Sequence, residues 1–193
     1  SVGSGQNLNV SGNLNGTGNW YVNGYGRVVF SGSGSTATGR FRNDVGWVEF
    51  GHSNALAGMA IESLNQPRYS ASYAGITITN NTFILVGSTS YYSGTNDFTM
   101  AGSLQCAVAS GTPSINIDSN ANVTFAGDVG VGTYLGTTGL NRPEFYKTGS
   151  GNLRFTHTDP EVEFLQLNNA SGKIELGAST LLTMFNGNEI WST

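Results

Sequence analysis

Apolar residues alternate with polar ones in short runs, and nearly every run is closed by Gly or Asn. A period of two with that punctuation reads as short strands joined by tight turns. The pattern predicts strands at residues 8–10, 20–22, 27–30, 47–50, 75–79, 82–86, 98–100, 104–108, 114–117, 123–125, 153–156, 162–167, 173–176 and 181–185. No segment of ten or more residues keeps a clean 3.6 period. The best helical candidate is 54–64, where Leu56, Met59, Ala60 and Leu64 share one face, but Gly58 interrupts it.

A step motif recurs: apolar, any, apolar, any, Gly, any, apolar. It stands as Leu8-Asn-Val10-Ser-Gly12-Asn-Leu14, Phe98-Thr-Met100-Ala-Gly102-Ser-Leu104 and Val123-Thr-Phe125-Ala-Gly127-Asp-Val129. Gly at that point lets another backbone approach closely or marks a bulge. One such step is too small to fold unaided, so stacking on further copies, or on other chains, is expected.

A longer similarity suggests an internal duplication. Val48-Glu49-Phe50 returns as Val162-Glu163-Phe164, an offset of 114 residues, and Arg40-Phe41 returns as Arg154-Phe155 at the same offset. Gly12 faces Gly127, and Ile61-Glu62 faces Ile174-Glu175, at nearly that offset. The second copy is an alternating strand at 173–176, so 59–64 reads better as strand than as helix. The resulting division is a first module at 1–97, a connecting step segment at 98–122, and a related second module at 123–193.

Composition narrows the class. Only 10% of the 193 residues are charged, against about 25% in a typical soluble domain. Gly, Asn, Ser and Thr number 28, 21, 21 and 20, so amides and hydroxyls must wet the surface. Aromatic residues reach 11%, which argues against disorder. No run of 18 apolar residues predicts a membrane span, strong helix formers with flanking charges are too few for a coiled coil, and a net charge of −4 leaves no basic footprint for nucleic acid. The expectation is all-β. Its edges are short and sparsely charged, and an open edge needs charge, Pro or a neighbour to protect it. Pairing with identical partners in a closed ring is therefore expected. The N-terminus, Ser1-Val2-Gly3-Ser4-Gly5, reads as the cut edge of a longer polypeptide.

The run from Val48 through Gly51, His52, Ser53 and Asn54 to Ile61-Glu62-Ser63 resembles a segment of tail-fibre and receptor-binding proteins of tailed bacteriophages. Phe185-Asn-Gly-Asn-Glu-Ile-Trp191 resembles a segment near the ends of such fibres, and the step motifs are similar to their Gly-punctuated shafts. Many such fibres carry a charged C-terminal chaperone segment, and none is expected within residues 1–193, which read as a fragment or as the product of its cleavage. The resemblance implies fibre-type β modules, intertwined or stacked along a three-fold axis in a parallel homotrimer. It also implies a place in the virion tail fibre beside other tail proteins, and attachment to a bacterial surface glycan or outer-membrane protein.

Candidate chemistry is sparse. His157, Asp159, Glu161 and Glu163 fall on one parity of an extended chain, which could hold a cation or place two carboxylates for glycoside hydrolysis. Pro160 breaks that strand, and a wet charged face accounts for the pattern. No catalytic residue, metal or cofactor is assigned, and the expectation is a protein that is not an enzyme. A tailspike-type depolymerase fragment and a bacterial trimeric adhesin fragment are the alternatives. Cys106 lies on the apolar parity of its strand and reads as a buried small side chain, and His52 reads as a turn residue.

Exposed aromatics carry the functional expectation, since Tyr and Trp offer a flat apolar face with a polar tip that suits sugar rings. The candidates for glycan contact are Trp20, Tyr21 and Tyr25, the pair Tyr69 and Tyr73 beside Gln66 and Arg68, and the pair Tyr91 and Tyr92. Subunit packing competes for the same residues. Trp191 reads as a core or inter-subunit plug.

Overall fold

A computed structural model describes residues 1–79, 82–108, 110–135, 137–139, 142–156, 161–164, 166–177, 181–184 and 190–192. Among them there is no helix. The chain winds as a parallel β-solenoid, each strand lying beside the one a coil earlier.

The first coils contain β1 (Asn7–Val10), β2 (Trp20–Val22), β3 (Arg27–Phe30), β4 (Arg40–Asn43) and β5 (Trp47–Phe50). The middle contains β6 (Ala60–Ala71), β7 (Ile76–Ile78), β8 (Phe83–Tyr92), β9 (Phe98–Met100), β10 (Leu104–Cys106), β11 (Ser114–Ile117) and β12 (Val123–Phe125). Then follow β13 (Val129–Val131), β14 (Thr133–Tyr134), β15 (Thr137–Thr138), β16 (Glu144–Lys147), β17 (Asn152–Phe155) and β18 (Glu161–Phe164). The last are β19 (Gln166–Asn169), β20 (Lys173–Leu176), β21 (Leu181–Met184) and β22 (Ile190–Ser192).

These strands form three faces. Face one stacks β2, β4, the first half of β6, the start of β8, β10, β13, β18 and β21. Face two stacks β1, β3, β5, the second half of β6, the end of β8, β11, β16, β19 and β22. Face three is the five-stranded sheet β7, β9, β12, β17 and β20. The long strands β6 and β8 turn from face one into face two, with register shifts between Ser63 and Arg68, and so join the first two faces into one 15-stranded sheet. The excursion between β13 and β16 carries the antiparallel hairpin β14–β15. Every other pairing is parallel.

Alternation decides which residues point inward. On face three Ile76, Phe98, Val123 and Leu153 form one buried row, and Ile78, Met100, Phe125 and Phe155 a second. On face two Val48, Tyr69, Tyr92 and Ile117 lie in register inside. Stacked and edge-on rings run along the axis, among them Phe50–Tyr69 at 6.2 Å, Tyr69–Tyr92 at 5.7 Å, Tyr92–Phe125 at 5.3 Å and Phe125–Phe155 at 5.8 Å between centroids. A parallel solenoid produces this, because rungs about 4.8 Å apart place like residues directly above one another.

The step motif is the sequence of a corner. In two of its copies the first apolar pair lies on face three and the last apolar residue opens face one: Phe98 and Met100 lead to Leu104, Val123 and Phe125 to Val129. A Cβ on Gly127 would stand 2.5 Å from the carbonyl oxygen of Gly102, one coil below. Successive corners pack backbone on backbone, and only Gly fits.

The strand expected in place of a helix at 59–64 is present and extends to Ala71 as β6. Two features give a different picture from the sequence reading. First, the short strands of the inner coils are covered by the preceding and following coils of the same chain, so open edges remain only on the end strands, among them β1, β2, β7, β20, β21 and β22. Secondly, the in-register spacing is one coil, from 20 residues between Leu8 and Val28 to 33 between Val129 and Val162. The 114-residue offset links different faces: Val48 lies on face two and Val162 on face one, Arg40 on face one and Arg154 on face three. The face-three ladder also runs without a break across residues 97 and 122, through β7, β9 and β12.

Candidate binding face

The outward positions of face two form one row in strict register among the described side chains: Asn7, Arg27, Trp47, Arg68, Tyr91, Asn116, Tyr146 and Asn168. Each is cationic, aromatic or a carboxamide, and each is displaced from the last by a single rung. The Arg27 guanidinium lies 5.8 Å from the centre of the Trp47 ring, Arg68 lies 5.9 Å from the same ring, and Arg68 lies 5.1 Å from that of Tyr91. A planar guanidinium stacks on aromatic faces, so cation and ring alternate along the axis and hold one another in place.

A second outward row locks the first. Arg27 donates from Nε and Nη2 to the two carboxylate oxygens of Glu49, at 2.7 and 2.5 Å, a bidentate pair with Glu49 almost wholly buried. The hydroxyls of Ser70 and Ser72 also donate to Glu49, and Trp47 Nε1 donates to Ser70 Oγ at 2.6 Å. One coil on, Arg68 Nη1 donates to Ser93 Oγ at 2.6 Å and to Asp118 Oδ2 at 2.8 Å, while Ser93 donates to Asp118. Each guanidinium thus has a carboxylate of its own. Further along, the Tyr146 hydroxyl donates to Glu144 at 2.6 Å, and that hydrogen bond to a carboxylate raises its pKa.

Two open grooves flank the row. One, of about 470 Å³, lies at the corner between faces one and two and is lined by Tyr25, Val45, Asn65, Gln66, Arg68 and Tyr91. The other, of about 460 Å³, lies on the far side and includes Arg27, Trp47, Glu49, Ser70 and Asn96. At the corner groove Tyr25 is 75% exposed. Asn65 and Gln66 are exposed, and Asn65 Nδ2 donates to Asp44 at 2.6 Å. Gln66 has a φ of 59°, a left-handed conformation that a residue other than Gly holds only when its surroundings impose it. It stands just ahead of Pro67, at the bend between the two halves of β6.

Of the aromatics expected at a glycan site, Tyr25 and Tyr91 converge on this corner groove. Trp20 and Tyr21 line a separate apolar pocket of about 180 Å³ at the first coils, with Val2, Leu8 and Val28. Tyr73 is exposed by itself after β6. Tyr69 and Tyr92 are fully buried in the ring stack and present no surface, because alternation turns them inward beside the outward Arg68 and Tyr91. Their hydroxyl pKa values are raised by burial. Arg27 and Trp47 escaped the sequence reading. The signal was a repeat near 20 residues, in which Arg27-Val-Val-Phe30, Trp47-Val-Glu-Phe50 and Arg68-Tyr-Ser-Ala71 occupy one position in successive coils.

Among the described residues no group of three or more His, Cys, Asp or Glu gathers to hold a metal ion. His157 and Asp159 lie outside the described residues, as do residues 185–189 of the fibre-like segment. Glu161 and Glu163 fall two apart on β18. His52 accepts a hydrogen bond at Nδ1 from the Asn54 amide at 3.0 Å, the turn role expected of it. Cys106 is buried, and burial pushes its thiol pKa well up. No described helix is long and apolar enough to cross a membrane. Comparison with protein-family models, curated proteins and solved structures gives no match to this chain.

Proposed function

We propose that this chain is a structural and host-attachment segment of a bacteriophage tail fibre, and that face two is the side that holds a bacterial surface glycan. The observation that carries the reading is the outward row Arg27, Trp47, Arg68 and Tyr91, a stacked series of planar groups in one line along the rod, with a groove on each side. A row that repeats at every rung suits a polymer whose own units repeat. The fibre-like segments supply the biological setting.

Each contact is weak, so strength comes from number. In a homotrimer of the kind the fibre resemblance implies, three parallel rows would multiply it again by raising effective concentration. Binding needs no catalytic step, and the polysaccharide leaves unchanged.

The test is retention of the labelled chain on bacterial cells before and after periodate oxidation of their surface sugars. Loss of binding after periodate, with binding kept after protease shaving of the cells, is the expected outcome. The reverse pattern would replace the glycan with an outer-membrane protein. New reducing ends after incubation with the isolated polysaccharide would make the chain a depolymerase. Sedimentation mass, near three times 20.2 kDa or near that value itself, decides the homotrimer.

A further inference from the structure

We infer that the corner groove takes an uncharged saccharide, a conclusion that rests on the glycan-attachment reading above and names the ligand class for this site. The groove spans four coils, its volume of about 470 Å³ falls in the range of small-molecule sites, and its walls differ in chemistry. The Tyr25 ring, 75% exposed, offers an apolar plate for the C–H face of a sugar. The carboxamides of Asn65 and Gln66 both donate and accept, as sugar hydroxyls do.

Charge then decides the class. Arg68 is the one charged side chain lining the groove, and it is already closed. Its guanidinium stacks on Tyr91 and Trp47 and pairs with Asp118 and Ser93. The Asp44 carboxylate stands against the lining residue Asn65, from which it accepts a hydrogen bond at 2.6 Å. A carboxylate or phosphate entering here would have to take Arg68 from Asp118 and lie near the Asp44 carboxylate. A hydroxyl ligand needs no such exchange, because the carboxamides of Asn65 and Gln66 can serve it directly, each donating and accepting.

Gln66 provides a clean probe. Gly adopts its left-handed φ without penalty, so Gln66→Gly removes the carboxamide while keeping or raising stability.

The experiment is a bacterial glycan array, sorted into neutral and uronate- or phosphate-bearing structures, read at low and high salt and followed by titration of the best binder. Neutral structures are expected to bind with an affinity that does not fall with salt. Tyr25→Ala is expected to weaken binding by about tenfold, the scale of one aromatic contact. Gln66→Gly should weaken it several-fold at an unchanged or higher melting temperature, and Tyr73→Ala, exposed elsewhere, should leave it as it is. Preference for charged glycans, with affinity lost in salt, overturns the uncharged class and leaves the attachment reading standing. Neutral binding indifferent to Tyr25→Ala and Gln66→Gly overturns the assignment to this groove. Absence of binding to any glycan overturns the attachment reading itself.

Discussion

Replacing Gly127 by Ala tests the solenoid at its tightest point. The added Cβ would lie 2.5 Å from the Gly102 carbonyl oxygen, 2.6 Å from its carbon and 2.9 Å from the Ala101 oxygen, all backbone atoms of the coil below. An ordinary contact needs roughly 1 Å more, so the two corners must part. The bonds that hold them lie alongside: Ala126 N donates to Met100 O at 2.8 Å, and Leu104 N donates to Asp128 O at 2.7 Å. Overpacking costs about 1–3 kcal/mol, and weakening one of these bonds about 1 more. Against this, Ala restricts the unfolded chain and returns about 0.4–1 kcal/mol. The net expectation is a loss of about 2–3 kcal/mol. Gly12, at the same place in the step motif, provides the control: no atom lies within 4 Å of its Cβ position, and its φ is not left-handed. Gly12→Ala should therefore be neutral or stabilising by a few tenths to about 1 kcal/mol. Urea unfolding followed by circular dichroism reads both, and hydrogen exchange should show faster opening at residues 101–104 and 126–129 only in Gly127→Ala. Equal effects of the two substitutions, or a stable Gly127→Ala, would refute the stacked corner.

Three further outcomes are expected. Phe125 touches the rings of Tyr92, Phe145 and Phe155, so Phe125→Ala should cost about 3–5 kcal/mol, read by the urea midpoint, with Phe125→Leu costing markedly less. The Cys106 thiol should not react with a disulfide reagent in the folded protein at pH 8 and should react at once in denaturant, because burial both shields it and disfavours its thiolate. Stability should fall as pH rises through about 9–10: Tyr69, Tyr92 and Cys106 have pKa values raised by burial, so their unfolded forms lose protons first and draw the chain open. Lys147, whose pKa burial lowers, acts in the opposite sense, since losing its proton relieves the folded state. Melting temperature against pH should accordingly fall more steeply in Lys147→Met than in the parent.

Much of the fold was legible in the chain. Strands at 20–22, 27–30, 47–50, 98–100, 114–117, 123–125 and 173–176 appear with the bounds that alternation and Gly or Asn punctuation assign them. β16 escaped because the excursion between it and β13 breaks the rhythm. β6 runs on past the expected 59–64, because Asn65-Gln66-Pro67 forms a bend with shifted register within a continuing strand. For the candidate site, Tyr25 and Tyr91 could be named as aromatics near turns. Tyr69 and Tyr92 could not be separated from them by composition, because in Arg68-Tyr69 and Tyr91-Tyr92 a shift of one residue exchanges core for surface.

The sequence alone determined the class, because period-two alternation and Gly-punctuated corners are local properties that any long helix would violate. It determined too that amides and hydroxyls, with few charges, would meet the solvent. Which strands became neighbours was decided only in three dimensions. Parallel pairing joins residues 20 to 33 apart, and the entropy of closing such loops differs little over that range, so no local feature selects the partner. Selection comes from rows of inward side chains that fit one above another. The same stacking, acting on the outward positions, gathers Arg27, Trp47, Arg68 and Tyr91 from four separate coils into one line.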